Sequence, residues 1–228
     1  MTWHAKRTGP YYMGSTEADD NARESMAILM NSFGWTFEAC CGLFGNIDYE
    51  GQWNPWRWES DNVRSRAQAQ SDTTYTHGYG LIGWTPAKKY QFNNATAPGS
   101  SVIFFPDYNQ ESYPGYGPNW SDVSGLATDG AAQIRLIGEA MRRGSGNIWI
   151  QRKSCSASRF ITLTDPGQAA YYWLWNAEYP VQIEQQEPLR RRAAWNWYDH
   201  LGGGPSAHRK IWLFKRIIDT SNGKLSNY

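Results

Sequence analysis

Behind Thr36, the residues Phe37, Cys40, Cys41, Phe44 and Ile47 recur at spacings of three and four, the period of a helix whose apolar stripe is buried. Thr36 is a residue type that caps helix starts. The run therefore predicts a helix from Thr36 to about Tyr49 or Glu50. At 228 residues there is enough chain for one hydrophobic core plus decoration.

The flanking segments supply further helices. From about Ser15 to Phe33 the sequence opens with Ser and Thr, carries acids in its first turn, turns apolar and stops at Gly34. Ile134, Ile137 and Met141 repeat at helical spacing within Asp129 to Arg143. Thr164-Asp165-Pro166 reads as a cap followed by Pro and predicts a helix running to Tyr179, where Pro180 stops it. A last helix is expected from Pro188 to the glycines Gly202 to Gly204. Thr73 to Thr76 has the content of a short strand, and Thr85-Pro86 opens a short helix reaching about Phe92. Residues from about 95 to 125 are crowded with Pro, Gly and aromatic residues and read as a long ordered insertion.

Composition narrows the function classes. With 22 Lys plus Arg against 21 Asp plus Glu, no bulk charge holds this chain to nucleic acid. No apolar stretch approaches the ~20 residues that span a bilayer, and the polar residues after Met1 do not form a signal peptide, so a soluble product made in a cytoplasm is expected. Cys40, Cys41 and Cys155 lack disulfide or zinc spacing and read as buried thiols; the four histidines are scattered, so neither metal nor cofactor is expected. The 13 Trp, 14 Tyr and 8 Phe suit either core packing or stacking on sugar rings.

Glu50 is the residue on which chemistry is expected. It closes the apolar helix, a setting in which desolvation keeps a carboxyl protonated for donation to a leaving oxygen. Asp48 points about 200° away at ~3.6 residues per turn, so only one of the two can face a shared cleft. Two glycines in Gly78-Tyr79-Gly80 allow a close approach to a ligand, and Tyr79, Gly80 and Trp84 are the expected sugar contacts. Trp53 and Trp56 either line the cleft or pin the loop after Glu50 to the core.

The stretches Gly45-Asn46-Ile47-Asp48-Tyr49-Glu50-Gly51-Gln52-Trp53-Asn54-Pro55 and Gly78-Tyr79-Gly80-Leu81-Ile82-Gly83-Trp84-Thr85 resemble the paired elements of the phage tail lysozyme family. Downstream, Ala177-Glu178-Tyr179-Pro180 and Arg191-Arg192-Ala193-Ala194 look like that family's closing Glu-x-Pro and Arg-rich helices. Gly83 stands where the family usually has Gln, and Gly51 where Ser is common. The resemblance implies an α+β, mainly helical, lysozyme-like fold with a small β lobe, occupying residues 1–205 around the insertion, with 206–228 as a C-terminal extension. It also implies a glycosidase of the lysozyme type with Glu50 as catalytic acid, peptidoglycan as substrate, other virion or tail proteins as partners, and a place in the virion from which the host wall is opened during genome entry. Hydrolysis with inversion needs a second carboxylate ~6.5 to 9.5 Å from the acid; Asp72, Asp61 and Glu59 are the candidates. A virion structural protein reusing the fold and a lytic transglycosylase are the alternatives.

Three other readings fail. Gly78 to Gly83 matches a dinucleotide fingerprint, but no apolar strand precedes it and the helix opens too late. A cysteine peptidase using Cys40 or Cys41 with His77 conflicts with thiols on an apolar helix face. An anion site at Arg190-Arg191-Arg192 gives way to a solvated or salt-bridged helix face.

Overall fold

The computed structural model describes residues 3–6, 9–57, 78, 80–83, 123–124, 128–144 and 148–202. These residues are mainly helical. Two short strands, β1 (His4–Ala5) and β2 (Val123–Ser124), pair antiparallel with His4 opposite Ser124. The helices are α1 (Thr16–Phe33), α2 (Phe37–Ile47), α3 (Thr128–Arg143), the single turn α4 (Ala157–Phe160), α5 (Pro166–Trp173), continued by a π-helical turn Leu174–Glu178, and α6 (Ile183–Leu201). The expected strand at Thr73 to Thr76, the helix from Thr85-Pro86, most of the insertion and the tail from 206 lie outside the described residues.

The expected caps are in place. Ser15 Oγ accepts from the Ala18 N–H, Thr36 Oγ1 from Ala39 and Asp165 Oδ1 from Gln168, each satisfying a backbone donor of a first helical turn. Gly34, at φ 71°, closes α1 in the left-handed conformation that glycine adopts without strain. Two boundaries differ from the sequence reading. α2 ends at Ile47, and tight turns carry the chain through Glu50. α6 starts at Ile183 rather than Pro188, so Pro188 lies inside it and forgoes one helical hydrogen bond, a loss close enough to the helix start to be tolerated.

α2 is the centre of the molecule. Every one of its residues except Glu38 is buried, so the helix is enclosed on all sides rather than along one stripe. It packs chiefly against α6 and α5, while α1 packs against α3. Most of the described tryptophans serve this core: Trp53 lies 4.8 Å from Trp197 and 4.9 Å from Phe44, and Trp35, Trp149, Phe160 and Trp173 form a second cluster. Trp53 and Trp56 are fully buried, which settles them as pins of the loop after Glu50. All three cysteines are buried, and burial pushes their thiols up, away from the reactive thiolate.

Gly45 sets how close α2 and α6 come. A Cβ built there would sit 2.5 Å from the Arg190 carbonyl oxygen and 2.6 Å from the Ala194 nitrogen, both backbone atoms that cannot swing aside. Gly45→Ala therefore has to part the two helices, and it should cost roughly 1–3 kcal/mol in urea unfolding, the usual range for overpacking a core. An unchanged midpoint would show that the helices do not meet at this distance.

Candidate active site

The turns after α2 aim three consecutive side chains differently. Asp48 turns into the core, where its two oxygens accept from the indole N–H groups of Trp53 (2.7 Å) and Trp197 (2.9 Å). Burial pushes this carboxyl up to about 6, against the pull of the two indole hydrogen bonds. Tyr49 is partly exposed, and Glu50 faces a cleft, so the expectation that only one of the two acids reaches it holds. Gln52 and Trp53 adopt left-handed backbone conformations (φ 48° and 62°), uncommon for residues with a side chain and a form of local strain that clusters at functional sites.

Asn54 makes the strained turn rigid. Its side-chain amide donates to the carbonyls of Lys6 and Gly9 (both 2.9 Å), and its oxygen accepts from the backbone of Lys6 and Trp56. The glycine segment closes the other side of the cleft. Gly51 N–H donates to Leu81 O and Gly80 N–H to Arg57 O. A Cβ on Gly51 would fall 2.2 Å from Gly80 O, so a serine here would hold the two segments apart. Gln133 of α3 ties them together from behind: its oxygen accepts from Leu81 N–H and its nitrogen donates to Pro55 O, both at 2.8 Å. Nothing in the sequence pointed to Gln133, whose partners lie 52 and 78 positions away.

The cleft has a volume of about 230 Å³ and is lined by Tyr49, Glu50, Gln52, Arg57, Gly78, Gly80 and Gly83. Gly80 is one of these lining residues; Tyr79 and Trp84, together with Glu59, Asp61 and Asp72, are outside the described residues. Gly83 bears directly on Glu50. Its backbone is left-handed (φ 60°), and a Cβ there would be 2.7 Å from Glu50 Oε2, so the absent side chain leaves that oxygen room.

The environment of Glu50 is not the apolar one that its helix suggests. Its side chain keeps 24% of its surface exposed, and Oε1 accepts from Nη2 of Arg190. The desolvated carboxyl is Glu178, at the end of the π-helical turn, with 7% of its side-chain surface exposed. Its Oε2 accepts from Arg190 Nη1 (2.5 Å) and its Oε1 from Trp173 Nε1 (2.7 Å). Burial first, and then the charge of Glu50 and a hydrogen bond with it, push the Glu178 carboxyl well up, while Arg190 and Trp173 pull the other way. Arg190 is itself almost wholly buried. Burial works against its charge, but the two carboxylates outweigh this and hold it protonated. Its remaining donors go to Gln186 and to Asn46 of α2. Arg190 is therefore no solvated helix-face residue: the three consecutive arginines divide, with Arg191 pairing with Glu187 at the surface and Arg192 exposed.

Among the described residues no three of His, Cys, Asp and Glu converge as a metal site would require, and no helix is long and apolar enough to cross a membrane.

A sequence model of phage tail lysozymes matches residues 20–201, from α1 to the end of α6. The chain belongs to the phage tail lysozyme family. It is also 25% identical over 220 residues to Morphogenesis protein 1 of Bacillus phage B103, an alignment covering 95% of this chain and 49% of that protein. The chain thus spans about half the length of the curated relative it matches. The match to the family includes Glu50, Glu178 and Arg190, three residues that the fold brings to one place from the α2 exit, the π turn and α6.

Proposed function

We propose that this chain is a peptidoglycan-cleaving lysozyme carried in the phage particle, with Glu50 as the general acid that protonates the glycosidic oxygen. The observation that carries this reading is the position of the Glu50 carboxyl: one oxygen is held by Arg190, and the other faces a glycine-walled cleft beside Gly83. In such an arrangement Oε2 is the oxygen that delivers the proton, while water, or an internal group of the substrate, completes the reaction at the anomeric carbon. Tyr79 and Trp84 are proposed with Gly80 as sugar contacts. Glu178 is no candidate for the water-activating carboxylate, because it lies behind Arg190 and away from the cleft. Asp72, Asp61 and Glu59 keep that role between them.

The test is product analysis on purified peptidoglycan with the wild type and Glu50→Gln. New reducing ends from the wild type alone support hydrolysis with Glu50 as acid, and anhydro ends move the reading to a lytic transglycosylase. Equal cleavage by both proteins would remove Glu50 from the mechanism. No cleavage of several wall types would favour a structural part in particle assembly, the reading that the name of the Bacillus phage relative supports. Partners in the tail or elsewhere in the virion, and action at the host wall during genome entry, belong to the same proposal.

Gly83→Ala probes the oxygen directly. A methyl group there needs Glu50 Oε2 to move and adds the strain of a left-handed alanine, about 1–2 kcal/mol. Since a misplacement of about 1 Å can cost on the order of 100-fold, turnover should fall roughly 10- to 100-fold, with binding of oligosaccharide much less affected. Full activity in this variant would show that Oε2 does not need its present position.

A further inference from the structure

We propose that Glu178 is a positioning residue for Glu50: the two carboxyl groups share a single proton across the guanidinium of Arg190, and this sharing is what allows Glu50 to be loaded as an acid. The inference rests on the proposed lysozyme reaction but makes a separate claim about this chain's own side chains.

The geometry raises a difficulty that it also resolves. An arginine against a carboxylate favours the charged form and lowers the carboxyl pKa by about 1–3 units. Arg190 with Glu50 alone would therefore hold the acid deprotonated. Glu178 changes the charge count. The guanidinium fork places Nη2 on Glu50 and Nη1 on Glu178, so one cation stands between two carboxylates, and with both ionised the cluster would carry net negative charge out of water. One proton makes the cluster neutral. Among the described residues, the charged groups facing Glu178 are Arg190 from α6 and Glu50 from the α2 exit; Trp173 of α5 and Asn46 of α2 complete the surroundings and are neutral.

The proton has two places to reside. On Glu178 it leaves Glu50 ionised against Arg190; on Glu50 it leaves Glu178 ionised against the same guanidinium, which has one nitrogen on each. Only Glu50 opens on the cleft, so only there is the proton delivered. In the step itself the Glu50 O–H bond breaks and its proton bonds to the glycosidic oxygen. The bond from that oxygen to the anomeric carbon breaks, with its electron pair going to the oxygen. The cluster changes from neutral to one net negative charge as the sugar takes up positive charge, and Arg190 then lies against the new carboxylate. Water at the exposed face of Glu50 returns the proton. The site of Glu178 fits such a duty: a π-helical turn, a feature frequent at functional sites, followed by Tyr179 with a left-handed backbone (φ 50°).

Glu178→Gln keeps the shape and removes the second negative charge, so the full effect of Arg190 falls on Glu50. The activity needs a protonated acid and is lost as pH rises. In this variant the falling alkaline limb of the pH-rate profile should move about 1–3 units toward acid, with the rate recovering at low pH, KM little altered, and the limb retained in Glu178→Asp. A merely structural glutamate would lower the rate equally at every pH, and that outcome, or an unmoved limb, would overturn the proposal. Carboxyl carbon-13 NMR titration reads the same coupling without activity: Glu50 should titrate at lower pH in Glu178→Gln, and Glu178 at lower pH in Glu50→Gln. Either coupling supports the shared proton even if the chain cleaves no wall, which would sink only the lysozyme reading. Independent titrations in whichever variant folds would refute the sharing.

Discussion

Glu50→Gln should lower peptidoglycan cleavage by roughly 10²- to 10⁴-fold, the range that a positioned general acid supplies, while the protein stays folded. Glutamine fills the same volume and its carbonyl oxygen can still accept from Arg190 Nη2, so the cleft keeps its shape. The cluster also adapts. With the Glu50 charge gone, one of the causes that raise the Glu178 carboxyl disappears, which favours its carboxylate as the counter-charge of Arg190. Thermal stability at neutral pH should therefore change little, within about 1 kcal/mol. Release of reducing ends and thermal unfolding on the same preparation check both halves. A variant that is inactive because it is unfolded says nothing for the acid, and a folded variant with residual activity above about one tenth of wild type would contradict its role.

The local part of this fold was legible in the chain, and the non-local part of the site was not. Ser15, Thr36 and Asp165 act within three residues of themselves, which is why caps and helix starts could be read directly. The apolar period of α2 announced burial, though not that Gly45 lets α6 close over the side the period leaves out. Glu50 reaches the cleft from the α2 exit, but not in the environment expected of it, that of a carboxylate desolvated by its own helix. The buried one is Glu178, and the residue joining the two is Arg190, 140 positions from Glu50 and 12 from Glu178. A run of three arginines within a helix carries no mark showing which one turns inward. That is decided by how α6 packs on α2, where Gly45 lets the Arg190 and Ala194 backbone approach closely. Gln133 escaped notice for the same reason, since a lone glutamine on an amphipathic helix looks solvent-facing until both partners are in place.

Arg190→Met should be the most destabilising single change at the site, costing about 3–5 kcal/mol near neutral pH, because it leaves the carboxyl groups of Glu178 and Glu50 together without their cation. Methionine replaces much of the aliphatic stem, so the loss is mainly electrostatic, with a smaller share from the hydrogen bonds to Gln186 and Asn46. The sign of the pH dependence distinguishes this from simple loss of packing. Without the guanidinium, burial and the facing charge raise the native-state pKa of Glu178 further above its unfolded value, so the native state binds more protons than the unfolded chain. Stability then falls as pH rises through that range and is regained as pH drops toward the unfolded carboxylate values. Urea unfolding at pH 5 and pH 8 should show a larger deficit relative to wild type at pH 8, and adding Glu178→Gln should restore part of it by removing one of the stranded charges. An equal deficit at both values would mean that Arg190 holds α6 to α2 by packing alone, and the cation would then lose its place as the element that organises the two carboxyl groups.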